Sequence, residues 1–360
     1  WGFARAVARE IAGARANLVQ SHERLTTCDV YRPPDGVHAA WLEERLRDAP
    51  ATLRWRVAID PWHRYTLATE RRLFASPWLR AVLCNSKMVR DDIKARFGLP
   101  DERLPVLYNG VDSHIYSPGL AAHRERIRAK YHVPADAMLF LLVGSGFVRK
   151  GVPAAIAATM RLPASAHLLV VGDDRRLATY RQAARDEGAA GRVKFAGFQT
   201  DVAPFYGAAD AFVLPALYDA FPDAAMEALA SGLPVITSHR TGAAEIVTEN
   251  DAGFVCASRD PAALAAHMQA LYDAGIRARL SANARRAVEP LTPAAMTLKL
   301  VLLYKELLEA SVAHRLAARA AREADSRAPA EAPPLHGDDG LESETLPHDP
   351  PRPPPPHPRH

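Results

Sequence analysis

Cysteine is scarce. Cys28, Cys84 and Cys256 are odd in number, far apart and without a CxxC pair. That argues against a disulfide framework or a zinc site and points to a reducing cytoplasm. Long apolar runs are missing too; none reaches the roughly 18 residues that a membrane helix needs. Charge of one sign is not in excess: a formal +4 on 360 residues gives no reason to expect nucleic acid as a partner. The chain opens on Trp1 rather than Met, and residues 1–15 have the pattern of a helix already under way, with no capping residue and no signal peptide. The expectation is a first domain truncated at its start. What remains is an ordinary globular composition, 48% hydrophobic and 24% charged, long enough for two domains with substantial cores.

The most informative stretch runs from Ala211 to Ser238. Ala211-Phe-Val-Leu214 is a short apolar run ended by a proline, as expected of a buried parallel strand. A loop with one carboxylate, Asp219, follows. Asp223 stands at a helix start, helix formers continue to Ala230, and Ser231-Gly232 ends the helix before the next strand. A strand, acidic loop, helix and strand in that order place the loop at the carboxyl end of a parallel sheet, where doubly wound folds bind nucleotides. A helix N-terminus between Asp219 and Glu227 suits a diphosphate, and the carboxylates suit sugar hydroxyls. A surface loop with one solvated helix Glu fits the same letters.

Asp219, seven residues, then Glu227-Ala-Leu-Ala-Ser-Gly-Leu-Pro-Val resembles the Glu-x7-Glu signature of the retaining GT-B glycosyltransferases of the family-four group. The first Glu is Asp here, and Phe221-Pro222 replaces a usual glycine. The resemblance covers most of residues 17–312. It implies two Rossmann-like doubly wound domains facing a cleft, the first of them incomplete. A second motif supports it. Val143-Gly144-Ser145-Gly146-Phe147-Val148-Arg149-Lys150-Gly151 resembles the family's Gly-rich turn, in a form similar to the lipopolysaccharide-core glucosyltransferase I group. Lys150 takes the usual lysine place. Ser145 stands where an arginine is usual, so Arg149 is expected to take over its contact with the diphosphate.

The resemblance implies a hexose transfer with retention, glucose from UDP-glucose, onto a lipopolysaccharide-core or related glycolipid acceptor. The donor is a substrate and no cofactor is expected. Donor-side residues would be Gly144, Ser145, Gly146, Arg149, Lys150, Asp219, Ala220, Phe221, Pro222, Glu227 and Glu245, with Asp219 on the sugar and Glu227 on the ribose. Asp35 and His38, three apart and so placed on one helix face, would lie on the acceptor side with a catalytic role; a cap and a surface histidine fit equally. Glu245 also fits an exposed carboxylate in a first helical turn. No two Asp are separated by a single residue anywhere, so the metal-binding Asp-x-Asp of the other main glycosyltransferase fold is absent and metal independence is expected. Alternatives are another donor or acceptor within the group, or a non-catalytic sugar-nucleotide-binding protein. An epimerase of the same fold would need additional carboxylates in a pattern not seen.

The expected organisation is an acceptor-side domain over 1–118, a nucleotide-sugar domain over 119–288, and a helix over 289–322 returning to the first domain. A disordered tail over 323–360 follows, with 11 of the 29 prolines. Tyr108-Asn109-Gly110-Val111-Asp112 resembles the family's interdomain linker. Residues 54–96 carry 10 Lys/Arg against 4 Asp/Glu, with Trp55, Trp62 and Trp78 interleaved. Such a face suits an anionic membrane surface and a peripheral place on its cytoplasmic side. Core tryptophans beneath a solvated helix face fit as well.

Overall fold

The structure, a computed structural model, describes residues 2–13, 16–186 and 188–327. Two lobes lie within one compact unit that extends to Ala310; a second unit starts at Ser311, and its described part is helical. Of the disordered tail expected over 323–360, residues 323–327 are helical instead and the remainder lies outside the described residues.

The N-lobe holds a small parallel sheet of β1 (Gln20–Ser21), β2 (Val30–Tyr31) and β3 (Ala81–Val82), in that order. A parallel bridge between Cys84 and Val106 extends it. Helices His38–Leu46 and Pro61–Phe74 lie between β2 and β3, and helix Lys87–Phe97 follows β3. Ser86 caps the last, its Oγ accepting from the Val89 N–H. Helix Ala51–Ile59 was not expected: it starts after Pro50 with no side-chain cap and buries only Val57, so its letters carry little amphipathic signal.

The C-lobe is a six-stranded parallel sheet: β4 (Met138–Val143), β5 (Ala166–Val171), β6 (Val193–Gly197), β7 (Ala211–Leu214), β8 (Val235–Ser238) and β9 (Gly253–Cys256). Its order is β6-β5-β4-β7-β8-β9. β4, Met-Leu-Phe-Leu-Leu-Val, is a continuous apolar run because helices cover both faces of the sheet. The chain leaves β4 toward β5 on one side and returns on the other as β7. The loops after β4 and β7 therefore part at a topological switch point, and a crevice opens between them.

The chain crosses between lobes twice, side by side. The Val111 N–H donates to the Leu291 carbonyl at 2.8 Å. A Cβ at Gly110 would run into the backbone of Pro293, so the linker tolerates only glycine there. Helix Pro293–Arg327 follows, past the boundary expected at 322. Its Met296, Leu300, Leu303 and Leu307, spaced along one helical face, pack on Val30, Leu83 and Leu107 of the N-lobe.

Candidate active site

The loop after β4 begins at Gly144, whose φ of 151° favours glycine. A Cβ there would come within 2.9 Å of the Lys150 side chain, which lies across it. A Cβ at Gly151 would meet the Pro215 carbonyl, so the loops after β4 and β7 touch. The Leu217 N–H donates to the Arg149 carbonyl at 2.8 Å. Lys150 Nζ donates to Asp219 Oδ2 at 2.6 Å, and Arg149 Nη1 stands 3.7 Å from the same oxygen. Two cations on one buried carboxylate leave one positive charge in surplus, at the crevice mouth. Asp219 is fixed by its backbone as well: its N–H donates to Arg240 O at 3.0 Å and its carbonyl accepts from the Gly242 N–H at 2.9 Å.

Helix Asp223–Ala230 begins right after this loop, with Pro222 at the extended N-cap. Its fifth residue, Glu227, is half-buried and accepts from the Tyr206 hydroxyl at 2.6 Å. Burial pushes its carboxyl above the usual range, while hydrogen bonds from Tyr206 and Tyr116 pull it down. Asp219 and Glu227 thus bracket a helix start whose first N–H groups have no intrahelical acceptor.

The other expected residues divide. Ser145 Oγ accepts from the Asp173 N–H at 3.1 Å and lines a cavity of about 650 Å³ with Gly146 and residues 173–176. Phe221 is buried, stacked on Tyr108 at 5.4 Å between centroids. Ala220 is buried among N-lobe residues. Glu245 is half-buried and turned to the N-lobe: it accepts from the Lys87 N–H at 2.9 Å and from the Tyr108 hydroxyl at 3.0 Å. It neither protrudes into solvent nor joins Lys150 and Asp219 in any hydrogen bond or ion pair among the described residues.

Asp35 and His38 do not share a face. The helix starts only at His38, and Asp35 is exposed in the preceding turn, where Gly36 has a φ of 71°. His38 is buried inside the N-lobe. Its Nε2 lies 3.1 Å from His63 Nδ1, and its ring meets Trp62 edge-on at 5.0 Å. Burial, then Arg24, His63 and Arg45, depresses its pKa to about 4, so the ring is neutral.

Sequence reasoning missed several groups. Glu70, 1% exposed, accepts from the N–H groups of His38 and Ala39 and so caps a helix that has no capping side chain of its own. Tyr218, beside Asp219, accepts from the Val37 N–H at 3.0 Å, and Arg240 lies over its ring at 5.2 Å. Arg240 also pairs with Asp92 of the N-lobe at 3.0 Å. An aromatic flanking a functional carboxylate was the one available signal. The three tryptophans are surface residues, Trp55 64%, Trp62 61% and Trp78 67% exposed, which removes the core-tryptophan alternative. Arg54, Arg56, Arg64, Arg71 and Arg72 are exposed as well.

Comparison with known proteins agrees with this layout. Residues 1–114 match the family model Glycosyltransferase Family 4, and residues 123–287 match Glycosyl transferases group 1. The chain is 33% identical over 155 residues to the lipopolysaccharide core biosynthesis glycosyltransferase LpsE of Rhizobium meliloti, covering 43% of this chain and 45% of that one. It is 30% identical over 200 residues to the lipopolysaccharide glucosyltransferase WaaG of Escherichia coli, covering 54% and 53%. The crystal structure of WaaG, a glycosyltransferase involved in lipopolysaccharide biosynthesis, superposes with a TM-score of 0.68 at 26% identity, covering 81% of this chain and 80% of that one. The chain spans about half the length of the curated relatives it matches.

Proposed function

The chain belongs to the GT-B glycosyltransferases, and we propose that it transfers a hexose with retention from a nucleotide sugar, glucose from UDP-glucose, to a lipopolysaccharide-core or related glycolipid acceptor. The observation that carries this reading is the Lys150–Asp219 pair at the switch point, with Arg149 beside it and Glu227 on the adjoining helix.

In this reading the diphosphate takes over Lys150 and Arg149. Their charge, together with the helix start at Asp223, stabilises the negative charge that builds on the leaving group as the glycosidic bond breaks. Asp219, released from Lys150, accepts from hydroxyls of the hexose. Glu227 accepts from the ribose hydroxyls, with Tyr206 holding its other lone pairs. No step needs a metal ion, consistent with the lack of an Asp-x-Asp pair. The exposed tryptophans and arginines of the N-lobe would hold the enzyme on an anionic membrane surface, next to a lipid-linked acceptor.

The test is a screen of UDP- and GDP-sugars for donor hydrolysis and for transfer to core-truncated lipopolysaccharide, with the product anomer assigned by NMR. Turnover with UDP-glucose, unchanged in EDTA, is the expected result. No turnover with any donor would sink the catalytic reading. Loss in EDTA that Mn²⁺ or Mg²⁺ restores would sink metal independence.

A further inference from the structure

Asp219 is held in two ways. Its carboxylate is held by Lys150 and Arg149. Its backbone is held by the loop after β8. The Asp219 N–H donates to the Arg240 carbonyl at 3.0 Å, its own carbonyl accepts from the Gly242 N–H at 2.9 Å, and it forms a parallel bridge with Thr241. When a diphosphate takes Lys150 and Arg149, only the second hold keeps the carboxylate at the hexose.

Residues 240–242 are in turn held by the N-lobe. A Cβ at Gly242 would run into the Ala220 carbonyl and the Ser86 side chain, so this segment is pressed between the acidic loop and the start of helix Lys87–Phe97. The Arg240 side chain crosses to the same lobe. Its Nη2 donates to both oxygens of Asp92, at 3.1 Å and 3.0 Å, and its Nε stands 3.0 Å from Glu44 Oε1. Both carboxylates are nearly buried. Asp92 also accepts from the Tyr218 hydroxyl, and the Arg240 guanidinium lies over the Tyr218 ring. Glu44 pairs with Arg47 at 2.7 Å, and Arg259, after β9, donates to the Glu44 carbonyl at 2.5 Å.

One planar guanidinium thus fixes two N-lobe helices, His38–Leu46 through Glu44 and Lys87–Phe97 through Asp92, against the loop after β8. The same residue's backbone carbonyl fixes Asp219. Lys150, Arg149 and Glu227 stand apart from this network: among the described residues none of them has a hydrogen bond or ion pair to the side chain of Arg240, Asp92 or Glu44.

We propose that Arg240 is a positioning residue for the transfer step. Its grip on Asp92 and Glu44 aligns the lobes, and its backbone keeps Asp219 in place once the diphosphate has taken Lys150. The proposal rests on the glycosyltransferase reading above. Nucleotide affinity, set by Lys150, Arg149 and Glu227 of the C-lobe, is then independent of Arg240, while turnover depends on it.

The test measures kcat, UDP affinity by calorimetry and melting temperature on wild type, Arg240→Gln, Arg240→Lys, Asp92→Asn and the Arg240→Gln/Asp92→Asn double variant. UDP-glucose is the donor and core-truncated lipopolysaccharide the probe acceptor. In Arg240→Gln kcat should fall by about ten- to a hundredfold, the scale of an ångström's misplacement, while the UDP Kd stays within about twofold, below what one lost hydrogen bond would cost. Arg240→Lys keeps the charge without the fork and should fall between wild type and Arg240→Gln. Asp92→Asn is isosteric and carries the same expectation should Arg240→Gln not fold. The double variant should lose no more kcat than the worse single one, because both singles break one interaction. Breaking a buried pair lowers the melting temperature as well; a lower melting temperature with kcat near wild type makes the network purely structural and overturns the assignment. A UDP affinity that falls as far as kcat, or a double variant whose loss is the product of the two singles, overturns it too. Wild type that turns over no donor defeats the catalytic reading first, and this inference with it.

Discussion

The C-lobe sheet has six strands of four to six residues, and its core is drawn from its own sequence, with no buried member from before Val111. The N-lobe sheet has three strands of two residues each, and neither of its apolar clusters is its own alone. One includes Tyr218 and Ala220 from the C-lobe loop; the other is closed by Met296, Leu300, Leu303 and Leu307 of the long helix. The difference is instructive because Asp219 lies between Tyr218 and Ala220. Its two chain neighbours are buried in the N-lobe core while its carboxylate is tied to Lys150 of the C-lobe. The packing of the N-lobe and the geometry of the donor site are thus coupled through one loop.

Tyr218→Ala should break that coupling with the largest effect. Removing a fully buried aromatic costs about 3–5 kcal/mol, and the loss should appear as faster amide exchange in helix His38–Leu46 than in β4 and β7. Equal loosening of both lobes would mean that the N-lobe does not depend on the loop. Tyr218→Phe sharpens the point: it keeps the ring and removes the hydroxyl that accepts from the Val37 N–H and hydrogen-bonds Asp92, at about 1 kcal/mol per bond.

Lys150→Ala comes next. A cation facing the leaving group contributes about 10²- to 10³-fold to turnover, so kcat should fall by that order. Turnover within a factor of a few of wild type would leave the diphosphate role to Arg149 alone.

The smallest effect near neutral pH concerns His38. Its folded pKa, about 4, lies below the ordinary 6.5. As pH falls from 6.5 toward 4 the unfolded chain takes up a proton that the folded N-lobe refuses, so stability declines across that window and levels off below it. Chemical denaturation of wild type and His38→Gln from pH 7 to pH 4 checks this; equal slopes in both proteins would remove His38 as the cause.

The same contrast governs what the sequence alone could reveal. β7 was legible because a strand covered on both faces is apolar without interruption, and Asp223 marks the helix start that follows it. Two-residue strands and a helix such as Ala51–Ile59, which buries one side chain, leave too short a pattern. The pairing of Lys150 with Asp219 spans 69 residues, and that of Val37 with Tyr218 spans 181. Spacing cannot predict such contacts. The family resemblance set Lys150 and Asp219 in one donor site but did not predict their contact, and the second pairing was not foreseen at all. Asp35 and His38 were set on one face because the sequence does not show that Gly36 holds the turn open for one residue more.

The central claim is that a nucleotide sits at the switch point, with its diphosphate on Lys150 and Arg149 and its ribose on Glu227. Calorimetric titration of UDP into wild type and Glu227→Ala tests it most directly. The expected result is measurable binding by wild type and a loss of about ten- to a hundredfold in the variant, the worth of hydrogen bonds to a charged acceptor. Equal affinities in the two proteins would contradict the ribose role of Glu227, and no binding by wild type would contradict the site.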